Sequence, residues 1–404
     1  MRKIVQRLFT ILELVGFSAL ATLVIATVVA LRHLVDTPQP LESILPGTPH
    51  IYRWRHGHIF YKTLGNQDAP PLVLLHTLSV GSSSYEMRKV VGALAQKYRV
   101  YAPDLLGFGL SDRPKIDYSA ETYIDLCHDF LSEVVGQPAT LLASGQSCNY
   151  AVLVAKRYAE TCTGLVLISP WELFGGRQGR GAAFTIPRMR LPQGSPPHPT
   201  PPPPLRGVSF LLYSVMSTRL ALRYVMARQR SPLQDQISES DVEYLYATTH
   251  QFGAEHAPMA LLAGKLGIDA SRPFDTLQQP VLVIWGARAL NNAWSIASKH
   301  HMPEHAEMAL IQDGGLYVHE EYPAMVVANI LEWSEEGKSE EPGSHTDEEE
   351  PQPGAEEHLI AYCVKCKKKT PMRDTQQVTM KNGSPAVKGT CSVCGAGQYR
   401  IGKI

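Results

Sequence analysis

The chain has 404 residues with 38 basic and 38 acidic side chains. That balance excludes a chain-wide polyanion binder. Its 44% apolar content and its length suit one large α/β domain with additions. Seven cysteines are too few for a disulfide scaffold, and four of them stand in two C-x-x-C pairs, a spacing that asks for a metal.

Residues 14–31 are an uncharged run of eighteen, which residues 8–12 extend past Glu13. A spanning helix needs about 20 apolar residues, while the core of a cleaved signal peptide is about 7–15 long and precedes a small-residue site. Residues 1–35 are therefore expected to be an uncleaved single-pass membrane anchor. Arg2, Lys3 and Arg7 before the run favour a cytoplasmic N-terminus. The metal-type cysteines favour a reducing compartment for the remainder, so the side of the main domain stays open. Residues 36–50 are a tether.

The main domain is expected over residues 51–334. It opens with a hairpin turning at Arg55-His56-Gly57. Apolar runs at 71–76, 99–103, 139–143, 163–169, 281–285 and 308–311 read as strands. Helical spacing covers 87–98, 121–135 and 150–160. This alternation implies an α/β class with a parallel sheet covered on both faces.

The chain is organised around Gly145-Gln146-Ser147-Cys148-Asn149, which joins a buried strand to a helix. A serine on such a turn is the geometry of a nucleophile elbow, with helix N–H groups beneath it to stabilise an oxyanion. Asn149 stands where the pattern Gly-x-Ser-x-Gly has its second glycine. An ordinary strand-to-helix turn carrying a serine fits the same residues.

Leu74-Leu75-His76, the stretch Pro-Asp-Leu-Leu-Gly-Phe-Gly-Leu-Ser-Asp at 103–112 and the elbow together resemble the α/β-hydrolase superfamily over about residues 50–335. The resemblance implies a mostly parallel eight-stranded sheet with a helical cap at about 170–276. It makes Asp104 a structural brace. Within the cap, the Pro-rich loop at 187–205 prefers an extended, solvated form. Helices are expected at 210–227 and 241–252, the second with a capping box from Ser240 to Glu243. Phe210, Leu211, Leu212, Tyr213, Tyr244 and Tyr246 make the cap apolar, which fits either a hydrophobic small-molecule substrate or a core internal to the cap.

The family order of nucleophile, acid and histidine assigns Ser147 as nucleophile, with oxyanion N–H groups from Cys148 and from Thr77 or Leu78. The acid position after Trp285-Gly286-Ala287-Arg288 is Ala289, so Glu172 is the substitute acid. The histidine position falls at Gly315 or Leu316, leaving His319 as the base candidate one helical turn farther on. Two alternatives follow: a serine hydrolase of a hydrophobic ester or acyl substrate with a degenerate triad, or a catalytically inactive binding or scaffold protein.

Residues 335–358 are an acidic linker with too little apolar surface to order itself. In residues 359–404, Cys363 and Cys366 are separated from Cys391 and Cys394 by 24 residues. Two such knuckles present four thiolates to one tetrahedral Zn2+, and closed four-thiolate sites are structural. The segment resembles a small uncharacterised zinc-ribbon family through its knuckles, Met380-Lys381-Asn382-Gly383 and Tyr399-Arg400-Ile401-Gly402-Lys403. Its Lys and Arg excess suits contact with nucleic acid or anionic lipid, and equally a solvated basic face offsetting the linker.

Overall fold

The structure is a computed structural model that describes residues 40–171, 173, 212–230, 237–290, 303, 306–336, 360–363, 368–379 and 385–401, with isolated positions at 18, 19, 21–23, 25 and 26. The chain divides into two compact units, Met1–Glu341 and Pro342–Ile404. Most of the expected anchor, the Pro-rich loop, Glu172 and most of the acidic linker lie outside the described residues. The described positions between 18 and 26 are helical and exposed. Among the described residues no helix is long and apolar enough to cross a membrane.

The first unit is built on eight strands: β1 (Thr48–Trp54), β2 (Gly57–Leu64), β3 (Pro71–Leu75), β4 (Arg99–Pro103), β5 (Ala139–Ser144), β6 (Cys162–Ile168), β7 (Val281–Gly286) and β8 (Ala306–Ile311). Their order in the sheet is β1-β2-β4-β3-β5-β6-β7-β8. The β1–β2 and β2–β4 pairs are antiparallel and every other pair is parallel. Alternate residues of the central strands enter opposite cores. Val73, Leu75, Leu141, Ala143, Leu165 and Leu167 join one cluster, and Leu72, Leu74, Leu142, Val166 and Ile168 join the other. Strands that are apolar at every position need cover on both faces, which is why their hydrophobic runs are continuous.

Helices α1 (Ala120–Phe130) and α2 (Ser147–Arg157) pack on the first face. Ser119 caps α1 by accepting from the Thr122 amide, and the Thr122 hydroxyl accepts from the Ser119 amide in return. The segment expected to be one helix at 87–98 is instead a 3₁₀ turn, Ser84–Met87, and a single helical turn, Val91–Leu94. Gly92 and the closely spaced β-branched Val90 and Val91 weaken helix propensity there.

Between β6 and β7 lies the cap, with helices α3 (Arg219–Gln229), α4 (Glu239–Thr249) and α5 (His256–Leu262). Ser238, not Ser240, caps α4, so the expected capping box does not form. Tyr213, Met216 and Leu222 build a small core with Val80 and Ala254. Helix α6 (Pro323–Glu336) covers the second face through Val326, Val327 and Ile330.

A buried ionic clasp fastens the cap to the sheet's loops. Arg88 contacts Asp241 at 2.9 Å and Glu320 at 2.7 Å, and Arg230 contacts Glu320 at 2.6 Å and Asp241 at 3.4 Å. The Tyr85 hydroxyl donates to Asp241 at 2.5 Å, while the Tyr85 ring stacks on Tyr244 with centroids 3.9 Å apart. All four charged side chains are at most 12% exposed, so the two cations and two anions neutralise one another away from water.

The second unit is a four-stranded antiparallel sheet of β9 (Ile360–Cys363), β10 (Lys368–Thr379), β11 (Pro385–Cys391) and β12 (Gly397–Ile401), ordered β12-β11-β10-β9.

Candidate functional site

A cavity of about 200 Å³ lies between the C-terminal ends of the parallel strands and the cap. Glu86, Ser144, Ser169 and His319 give it a polar side. Trp171, Met216, Leu261, Leu262 and Leu316 give it an apolar one. Of the aromatic and leucine side chains expected to select a substrate, the described ones, Leu212, Tyr213, Tyr244 and Tyr246, do not line it. Tyr213 belongs to the cap's own core, against which Leu212 and Tyr246 pack, and Tyr244 stacks on Tyr85.

The strand-to-helix turn sits on the cavity floor, but not where the sequence suggested. Strand β5 ends at Ser144, Gly145 takes a left-handed φ of +52°, and α2 begins at Ser147. Gly145, not Ser147, is thus the residue on the sharp turn that an elbow reserves for its nucleophile. A Cβ on Gly145 would collide with Thr77 Oγ1 and lie 3.1 Å from Thr77 Cβ. The Thr77 side chain fills the space a nucleophile's side chain would need.

Ser147 is fully buried in the first turn of α2, and its hydroxyl donates to the His76 carbonyl at 2.6 Å. It does not border the cavity. The Cys148 amide donates to the Gly145 carbonyl at 3.3 Å, and the Thr77 amide donates to Glu86 Oε2 at 2.9 Å. Those two expected oxyanion donors are therefore engaged elsewhere. Leu78 does border the cavity, beside Gln146, the residue that follows the turn.

His319 is 1% exposed on the single helical turn Val318–Glu321 and borders the cavity. Its Nε2 lies 2.9 Å from Glu86 Oε1, within ion-pair reach, while Nδ1 has no hydrogen-bond partner. Ser144 Oγ donates to the same oxygen of Glu86. Burial alone would raise the Glu86 carboxyl above its ordinary value. The contact with His319 and the charge there, then the Ser144 hydroxyl, outweigh burial and hold it below that value. Leu316 also lines the cavity, and Ala289 offers only a methyl group that packs against the core. Asp104 accepts from the amides of Ser84 at 2.6 Å and Leu110 at 2.7 Å, the bracing role expected of it.

The sequence flagged His319 and Thr77 but not Glu86, Ser144, Ser169 or Trp171. Glu86 meets Ser144 across 58 positions of chain, and no local pattern signals such a contact. Ser144 was legible as the last strand residue before a glycine.

In the second unit, Cys391 is the last residue of β11 and Cys394 sits on the turn that follows. The Cys391 amide donates to the Ala396 carbonyl at 2.8 Å, and Gly395 closes the turn with φ of +69°. The Val393 amide points at Cys391 Sγ from 3.4 Å, and Thr370 Oγ1 lies 3.0 Å from that sulfur. A backbone amide aimed at sulfur is the kind of contact that accompanies thiolate ligands in metal knuckles. Cys366 and the Cys363 side chain lie outside the described residues, and the described residues alone form no cluster of three metal-ligating side chains.

Comparison with known proteins agrees with this architecture. A serine hydrolase involved in carbazole degradation superposes with a TM-score of 0.55 at 17% identity, covering 72% of this chain and 99% of that one. An uncharacterized protein of Mycobacterium tuberculosis is 30% identical over 132 residues, 32% of this chain and 37% of that protein. A haloalkane dehalogenase of Mycobacterium marinum is 32% identical over 123 residues, 30% of this chain and 39% of the enzyme. The similarity thus spans well under half the length of these curated relatives. Residues 362–401 match a domain of unknown function, DUF5679. Residues 72–329, well over half of the sequence, match the alpha/beta hydrolase family, to which the chain belongs.

Proposed function

We propose that this chain is a non-hydrolytic member of its family that uses the cavity under its cap to bind a small, largely apolar molecule. One observation carries the proposal. The turn residue is Gly145, and Thr77 occupies the volume in which a nucleophile's side chain would stand. The serine near the cavity does not replace it. In a working triad the histidine lies between serine and carboxylate, so that it can take the hydroxyl proton. Here Glu86 lies between Ser144 and His319, and a carboxylate held below its ordinary pKa is a poor base for a serine hydroxyl.

Fluorophosphonate labelling of the full chain, combined with an ester panel, tests this. The expected result is no stoichiometric label and no turnover that Ser144→Ala or Ser147→Ala abolishes. Rapid stoichiometric labelling at either serine would overturn it.

Two further parts of the proposal come from the termini. Cys363, Cys366, Cys391 and Cys394 would hold one structural Zn2+, making residues 359–404 an interaction module, for which the basic side chains suggest anionic partners. Residues 1–35 would anchor the chain to a membrane in a single pass. The knuckle turn at Cys391 supports the first, and the length of the apolar run supports the second.

A further inference from the structure

We infer that the cavity accepts a neutral alcohol, a largely apolar molecule with one hydroxyl seated against His319 and Ser169. This rests on the binding role proposed above and names the class of ligand. Two buried polar groups on the cavity wall lack a hydrogen-bond partner: the Ser169 hydroxyl, 1% exposed, and Nδ1 of the His319 ring, also 1% exposed, whose Nε2 faces Glu86. Left unmet, such groups are destabilising, so a ligand that satisfies them gains affinity. Ser169 also holds a left-handed φ of +48°, a conformation a non-glycine residue keeps only when its surroundings enforce it.

Charge decides the chemistry. Glu86 borders the same cavity and is held in its ionised form, so a ligand carboxylate would meet a buried like charge. Glu86 already accepts from the Thr77 amide and from Ser144 and faces His319, so about one of its roughly four lone-pair positions remains. An ammonium group would need more acceptors than that and would meet His319 whenever the ring is protonated. A hydroxyl both donates and accepts. It can therefore pair with the free ring nitrogen of His319 in either protonation state, and with Ser169 Oγ in either direction. The apolar wall of Trp171, Met216, Leu261 and Leu262 takes the body. A volume of 200 Å³ is about seven water-sized units, which suits a chain of about six carbons with its oxygen.

Calorimetric titration of the full chain at pH 7 with 1-hexanol, hexanoate and hexylammonium tests this. Saturable hexanol binding, about tenfold or more tighter than either ion, is expected. His319→Leu and Ser169→Ala should each weaken hexanol by about tenfold, and Leu262→Trp, which fills the cavity from the cap, should abolish binding. Should either variant fail to fold, the ranking of the three probes on the native chain still decides. Hexanoate or hexylammonium binding as tightly as hexanol overturns the ligand class and leaves the binding role standing. Absence of saturable hexanol binding, or binding that survives Leu262→Trp, overturns the inference. Turnover of hexyl esters with serine labelling overturns the binding role itself.

Discussion

Restoring a side chain at Gly145 tests the central geometric claim. In Gly145→Ser the new Cβ falls inside van der Waals contact with Thr77 Oγ1 and 3.1 Å from Thr77 Cβ. Overpacking of this kind costs about 1–3 kcal/mol. A non-glycine residue at φ +52° adds about 1–2 kcal/mol. The single variant should therefore lose about 2–5 kcal/mol of the first unit's stability. Thr77→Gly removes the obstructing side chain, at about 0.5–1 kcal/mol of backbone entropy plus the lost threonine contacts. If Thr77 fills the nucleophile's place, the double variant is less destabilised than the sum of the singles by about 1–3 kcal/mol, whereas independent sites add within about 0.5 kcal/mol. Urea denaturation followed by tryptophan emission measures all four corners of the cycle, since Trp171 and Trp285 belong to this unit. Additivity would refute the assignment of Gly145 and Thr77. Fluorophosphonate should still label the double variant only slowly, because Leu316 and Ala289 supply neither base nor acid.

The remaining predictions concern the clasp, acid stability and the second unit. Asp241→Asn strips one anion from two buried guanidinium groups and should destabilise the first unit by about 3–5 kcal/mol, read by chemical denaturation; a loss below about 1 kcal/mol would show that water already screens the clasp. Glu86 and Asp241 both have carboxyl groups held below their ordinary values, so the unfolded chain binds protons first. Their contribution is complete above the ordinary carboxylate range and falls as pH drops through it. Melting temperatures measured from pH 6 down to 3 should decline less steeply in Glu86→Gln than in the native chain, once each is compared with its own value at pH 6. Strong chelation should melt the β9–β12 sheet and release about one zinc per chain, leaving the melting of the first unit unchanged; chelation without loss of structure, or Cys391→Ser with full zinc content, would contradict the four-cysteine site.

The sheet was legible in the sequence because every central strand is apolar on both faces, a pattern only a covered parallel sheet requires. The elbow was legible as a place but not as a register. Ala143, Gly145 and Ser147 are small and alternate, and so do Gly145, Ser147 and Asn149, apart from the bulk of the asparagine. The two frames differ by two residues, and only the left-handed φ at Gly145 separates them. His319 was identified with a helix start, and it does lie on a helical turn, but its partner Glu86 was hidden. The loop from Thr77 to Ser84 is mostly small residues, with Leu78 and Val80 the exceptions, and carries no ionisable group. Glu86 lies just before the helix expected at 87–98, and the chain is in a 3₁₀ turn there. Such turns leave no periodicity to read. The cap residues that reach the cavity, Met216, Leu261 and Leu262, were passed over because apolar residues in helices look alike until packing assigns them a side.

Glu86 gives the site its electrostatic logic. Acyl transfer concentrates negative charge near the elbow, and enzymes aim free N–H groups at that point. In this chain the Thr77 amide already donates to a buried carboxylate, so one donor of the loop is occupied by an internal anion. A second anion developing beside it would be opposed by a like charge in a low-dielectric setting, where such repulsion is largest. His319 and Ser144 are already directed at Glu86 and cannot also meet an oxyanion. On the non-hydrolytic reading proposed above, adding a nucleophile alone would therefore not be enough for hydrolysis. The carboxylate at residue 86 would have to be removed as well, and with it the contact that holds His319 at the cavity wall. On the same reading the three groups suit a neutral ligand, because a hydroxyl adds no second charge beside the buried Glu86 carboxylate.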